Sequence, residues 1–242
     1  MDGLTERALL PLWEEGEGAG RPGREALLLA TAAPELSGEA LTVGQRNAVL
    51  LEVHARAFGE RLDGFVRCPA CDEALEVSLG AAEVRAILAA EPSFGEHALV
   101  HDGYALRFRL VTCADLDDAA GAEDVDEARR VLVERCVLEA RREDEPVRAE
   151  DLPEDVVVTL ADRLARLDPQ ADISLAISCP ECEHEWRAAL DAASFLWSRV
   201  SLAARRLLEE VHVLAASYGW TETDVLTLSR RRRRMYLELA LS

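Results

Sequence analysis

Cys68-Pro69-Ala70-Cys71-Asp72-Glu73-Ala74-Leu75 and Cys179-Pro180-Glu181-Cys182-Glu183-His184-Glu185-Trp186 are two copies of one pattern, 111 residues apart. The likeness runs past the cysteines, because Leu79 matches Leu190 and Ala81-Ala82 match Ala192-Ala193. Strand-like stretches, Phe65-Val66-Arg67 and Ile173-Ser174-Leu175-Ala176-Ile177, lead into the two pairs, and the alternating Leu75-Glu76-Val77-Ser78-Leu79 follows the first. Each copy therefore reads as strand, knuckle, strand and the start of a helix, which is the half-site of a zinc ribbon. A Cys-x-x-Cys turn points two thiolates at one ion, and the N–H groups of the turn stabilise the sulfur charge. Four thiolates at about 2.3 Å from Zn²⁺ close a tetrahedral site with no position left for water, so the metal is structural.

Between Cys71 and Cys179 lie 107 residues, against about 15–20 in an ordinary ribbon. A ribbon split by a folded insertion accounts for that distance. The expected fold class is α+β, with a split zinc-ribbon-like β core, an α/β insertion and a helical C-terminal segment. The expected division is residues 1–37 as an N-terminal helical segment, 38–80 with 171–192 as the split core, 81–170 as the insertion and 193–242 as the C-terminal helices. Zn held by Cys68, Cys71, Cys179 and Cys182 is the first reading. The alternatives are a redox dithiol, two separate disulfides, reduced cysteines without a metal, and a ligand set that draws in His184.

Outward from the knuckles, Thr42-Val43-Gly44-Gln45 reads as a capping box opening an amphipathic helix (Val49, Leu50, Val53, Ala57, Phe58) that Gly59 stops. His101-Asp102-Gly103 reads as a hairpin turn before Tyr104–Leu110, whose alternation places Tyr104, Leu106, Phe108 and Leu110 opposite Arg107 and Arg109. An acidic stretch over 115–127 precedes expected helices at about 124–141 and 153–167. Near the N-terminus, helical spacing over 4–13 and 24–32 flanks Gly16–Gly23, which reads as a flexible linker. Leu196, Val200, Ala204, Leu207, Val211, Leu214 and Tyr218 form one stripe along a helix of about seven turns. Gly219 caps it, and Thr221 and Ser229 cap two further short helices.

Composition narrows the function. The 242 residues carry a net charge of −19, and all 27 basic residues are arginine. Such a surface repels phosphate backbones, which makes nucleic acid an unfavoured partner. The N-terminus lacks a secretory signal and no stretch suffices for a membrane span, so a cytoplasmic protein without a membrane partner is expected. No catalytic motif and no small-molecule substrate site is legible, and Cys113 and Cys136 read as packing residues, so the chain is expected not to be an enzyme. Arg230, Arg231, Arg232, Arg233 and Arg234 occupy the first turns of a helix, where the dipole disfavours cations. Local stability does not explain them, so they face something acidic: the chain's own carboxylates or a partner protein. Trp197, Tyr218 and Trp220 are candidate interface anchors beside a buried-core reading.

Phe195-Leu196-Trp197, Leu207–Ala215, Tyr218-Gly219-Trp220 and Arg231–Leu237, with Leu41–Leu51, Phe58-Gly59 and the first knuckle, resemble the T4-type baseplate hub assembly proteins of contractile phage tails and contractile injection systems, in a zinc-knuckle branch. The resemblance covers residues 40–80 and 173–242. It implies a non-enzymatic structural or assembly (chaperone) component of the baseplate hub, with baseplate, tube or spike proteins as partners. It further implies a cytoplasmic place of assembly and incorporation in a phage-tail-like particle. The other reading of the same residues is a zinc-ribbon regulatory or nucleic-acid-binding module.

Overall fold

The computed structural model describes residues 4–36, 41–80 and 95–241. Its elements in chain order are α1 (Glu6–Glu17), α2 (Arg21–Ala32), α3 (Val43–Phe58), β1 (Arg61–Arg67), β2 (Ala74–Gly80), β3 (Glu96–His101), β4 (Tyr104–Arg109), α4 (Cys113–Ala119) and α5 (Val125–Cys136). Then come β5 (Val137–Arg142), β6 (Glu145–Pro146), α6 (Glu154–Leu167), β7 (Ser174–Ser178), β8 (Glu185–Ala189), α7 (Ala192–Tyr218), α8 (Glu222–Thr227) and α9 (Arg230–Ala240). The chain is thus α+β, and its described sheets are small and antiparallel. It divides into two compact units, one of Met1–Ser37, Val53–Gly59 and Ala192–Ser242, the other of Gly38–Glu52 and Glu60–Asp191.

The first unit is helical and built on α7. The expected stripe holds over most of its length: Leu196, Val200, Ala204, Leu207 and Leu214 are buried, on a helix that packs on α1 and α2, whereas Val211 is half-buried and Tyr218, at the end of the stripe, is exposed. Residues 16–23 are not a linker. α1 continues through Gly16 and Glu17, and α2 already begins at Arg21. Gly16 is there because Trp197 packs on it: a Cβ would lie 2.2 Å from the Trp197 ring. Glycine spacing read as a breaker is in fact a close helix–helix approach.

In the second unit, β3-β4-β5-β6 form one sheet. Asp102 and Gly103 take positive φ in the β3–β4 turn, as a two-residue hairpin loop requires. Tyr104, Leu106 and Phe108 of β4 and Ala140 of β5 pack on Leu152 and on Val156 and Leu160 of α6. The helix expected over 124–141 ends at Cys136, and Val137–Arg142 is a strand paired with β4. Helical spacing continues weakly into 137–141, but β4 offers an open ladder edge, and tertiary pairing overrides a short local preference. The acidic stretch also hides α4, opened by a capping box between Thr112 and Asp115.

Asp115 is 3% exposed and receives both terminal nitrogens of Arg109 at 2.6 and 2.8 Å. The Arg109 fork outweighs burial and, with the Thr112 N–H and hydroxyl, holds the Asp115 carboxyl well below the usual carboxylate range. A depressed folded-state pKa gives stability that is full above the unfolded value near ~3.9 and is lost as pH falls towards the folded one. Asp115→Asn should cost about 2 kcal/mol at neutral pH, less than a fully buried pair because Arg109 keeps part of its side chain in water. Urea midpoints at stepped pH check this: the gap to the unsubstituted protein should be constant above pH ~5 and narrow below ~4. A gap that stays the same down to pH ~2 contradicts it.

Candidate functional site

The two knuckles repeat each other bond for bond. Cys68 N–H donates to Glu73 O and Asp72 N–H to Cys68 O, both at 2.9 Å; Cys179 N–H donates to His184 O and Glu183 N–H to Cys179 O, again at 2.9 Å. Asp72 and Glu183, at matching positions, both take φ +59. Each turn is clasped by its own hairpin, β1 with β2 and β7 with β8. The first cysteine of each pair is buried and the second exposed.

The sulfurs meet across the repeat. Cys68 Sγ lies 3.6 Å from Cys182 Sγ, and Cys71 Sγ lies 3.6 Å from Cys179 Sγ. All four sulfurs fall within 4.8 Å of one another. A tetrahedral ion with bonds of about 2.3 Å to sulfur requires sulfur–sulfur edges of about 3.8 Å, so this set fits a four-coordinate metal. Disulfides, at about 2.05 Å, do not describe it, and all six cysteines are unbridged. Nor does a redox dithiol, since both pairs sit between strands and neither opens a helix. The His184 ring stacks on Trp186, with centroids 5.9 Å apart, and does not belong to the cluster.

Crowding of thiols shows in their acidity. Burial disfavours charge on Cys68, but the N–H groups of Ala70 and Cys71 and the thiols of Cys182 and Cys71 together bring it down to about 7. Cys71 rises to about 12: the Glu73 N–H favours its thiolate, and the sulfurs of Cys182, Cys179 and Cys68 together with burial outweigh it. One thiolate forms readily and the next is opposed by the first, an opposition that a divalent cation at the centre removes. Cys136, by contrast, is an inert core thiol that burial pushes up to about 11.

The remaining predicted site residues lie in the helical unit. Arg233 is buried and bonded to Glu6 and Glu210, whereas Arg230, Arg231, Arg232 and Arg234 are exposed. Arg230 and Arg234 stand 3.9 Å from Glu6 and Glu238. Trp197 is buried, with the Arg24 guanidinium 5.0 Å over its ring. Tyr218 and Trp220 stack at 4.8 Å, and Tyr236 meets both edge-on, at 5.7 and 4.9 Å. Sequence reading missed a cavity of about 210 Å³ in the same unit, rimmed by Arg199, Arg206 and Arg230 over Leu4, Leu9, Phe58 and Leu202. Arg199 and Arg206, seven residues apart on one helix, were its only sequence signal.

Among the described residues, no helix is long and apolar enough to cross a membrane. The four sulfurs that the two hairpins bring together could hold a metal ion. A family model described as T4 bacteriophage base plate protein matches residues 27–197. The chain belongs to that family, and membership supports a structural part in a phage baseplate with contacts to other baseplate or tail proteins. The match takes in the middle of the chain, which the resemblance by motif left aside, and stops short of the last 45 residues, where several of those motifs lie. No curated protein and no solved structure matches the chain.

Proposed function

We propose that the chain is a non-enzymatic structural or assembly component of the baseplate hub of a contractile tail or contractile injection system, clasped by one structural zinc on Cys68, Cys71, Cys179 and Cys182. The family match over 27–197 carries the baseplate part. The four-sulfur geometry supports the zinc, because an all-thiolate tetrahedral set selects Zn or an iron–sulfur centre and leaves no open position for catalysis. Within that role residues 38–80 and 171–192 form the split ribbon, 81–170 its insertion, and 1–37 and 193–242 the helical segments. The exposed Arg230, Arg231, Arg232 and Arg234, with Tyr218 and Trp220, face partner proteins, while Arg233 and Trp197 support that surface from within. Assembly takes place in the cytoplasm, and a chaperone role is tested by whether the chain stays in the finished particle.

Co-expression with the tube, spike and baseplate proteins encoded beside it, followed by affinity capture at physiological salt, should recover at least one of them in fixed stoichiometry. Charge reversal at Arg231 and Arg232 should weaken that recovery. Capture of none of them, with nucleic acid retained instead, contradicts the proposal and supports the regulatory reading.

A further inference from the structure

The charge of this chain is unevenly placed. Acidic and basic residues balance at 12 each in the helical unit, so the whole −19 belongs to the other unit. In the balanced unit, Arg199 and Arg206 project from one face of α7 with Leu202 between them, and together with Arg230 they rim the cavity of about 210 Å³. Arg199 and Arg206 form no ion pair with any described carboxylate, and Leu202 is exposed. Glu6 and Glu210 also line the cavity, but they are engaged by Arg233, with Arg230 3.9 Å from Glu6, so the charge left without a carboxylate is that of Arg199 and Arg206, beside the exposed Leu202.

The acidic unit carries an element of opposite charge with one apolar side chain. Glu123-Asp124-Val125-Asp126-Glu127 opens α5, and Val125, between two acidic pairs, is 82% exposed. The Asp124 carboxylate caps the helix by accepting the Glu127 N–H, and Glu127 accepts the Glu123 N–H. Those bonds fix the first turn, leaving Glu123 and Asp126 without a cation among the described residues. An exposed valine at the first position of an acidic helix contributes nothing to its own unit's core.

We infer that two copies of this chain associate head to tail, the Glu123–Glu127 turn of one entering the Arg199–Arg206–Arg230 groove of the next, with Val125 in the cavity. The contact joins two different surfaces, so it repeats from copy to copy, giving a ring if the rotation closes and a filament if it does not. Both halves are preformed, which limits the ordering cost, and the charges steer the encounter while screening weakens it at high salt. The inference does not depend on the baseplate reading, and either can fail alone.

Sedimentation velocity of the full metal-loaded chain tests it. Association should grow with concentration at about 50 mM salt and fall at least tenfold in affinity by about 500 mM. Arg199→Gln/Arg206→Gln removes the charge of the groove but keeps the acidic turn; Glu123→Gln/Asp126→Asn removes the charge of the turn but keeps the groove. Each variant should be monomeric alone, with unchanged circular dichroism. An equimolar mixture should give a 1:1 dimer and nothing larger, since one intact groove meets one intact turn. A third variant, Val125→Asp, should also weaken association at least tenfold, which separates the apolar anchor from charge alone. A monomer at every concentration, self-association untouched by these changes, or a groove that binds DNA while the chain stays monomeric would each overturn the inference.

Discussion

Cys68→Ser and Cys179→Ser should each abolish the binding of about one zinc ion per chain and unfold the hairpins that the ion clasps. The sulfurs of either pair are within 3.6 Å of the other pair's, so removing one ligand breaks a site shared by both halves of the repeat. Structural zinc contributes about 10–16 kcal/mol to the folding of small metal-dependent domains, which equals or exceeds the whole net stability of a typical domain. Elemental analysis of protein purified under reducing conditions, with thermal melts of the same samples, measures the effect. Cys113→Ser and Cys136→Ser should retain the metal, because neither sulfur belongs to the cluster. Chelation at neutral pH should reproduce the serine phenotype, and acid should promote it, since protons compete with the ion for thiolate. Full zinc content in either serine variant would mean two separate sites, and a metal-free wild type grown with zinc would leave the knuckles as bare turns.

This site was legible in the sequence because it rests on local chemistry repeated twice. A Cys-x-x-Cys turn needs only its own hairpin, and the match at Leu79 and Leu190 already carried the strand beyond each knuckle. The second half of the repeat's helix start is observed at Ala192, while its counterpart at Ala81-Ala82 lies outside the described residues. Capped helices were equally readable: Thr42 with Gln45 exchange the bonds expected of a capping box, and Thr221 and Ser229 cap α8 and α9. What escaped reading was set by distant partners. Gly16 looked like a breaker until Trp197, far along the chain, was found lying on it. Val137–Arg142 became a strand because β4 needed a neighbour. The Arg199 and Arg206 groove depends on helices brought together from the two ends of the chain, and no spacing rule foretells what an arginine will face.

The arginine run shows the same division within five residues. Arg233→Met should destabilise the helical unit by about 3 kcal/mol, whereas Arg231→Met and Arg232→Met should each stay within about 0.5 kcal/mol. Arg233 is 1% exposed, and its three nitrogens reach Glu6 at 2.6 Å, Glu210 at 2.9 Å and the Leu228 carbonyl at 2.9 Å. It joins α9 to both α1 and α7. Burial alone would disfavour its charge, but the two carboxylates outweigh that and raise its pKa, so it stays ionised. Removing it leaves Glu210 without its cation and Glu6 with only the exposed Arg230 at 3.9 Å, and the partial contact of both carboxylates with water keeps the cost near the lower end of that for a broken buried pair. Arg233→Lys should recover part of the loss, since it keeps the charge but cannot make three fork-shaped bonds at once. Adding Glu6→Gln and Glu210→Gln to Arg233→Met should recover more, because it removes the uncompensated charge that the single change exposes. Urea midpoints measure all five variants against the unsubstituted protein, and amide exchange in α9 should quicken in Arg233→Met before the rest of the unit opens. A loss below about 1 kcal/mol for Arg233→Met, or no recovery in the triple variant, would mean that α9 is held by its other packing on α7 and that the buried arginine is incidental.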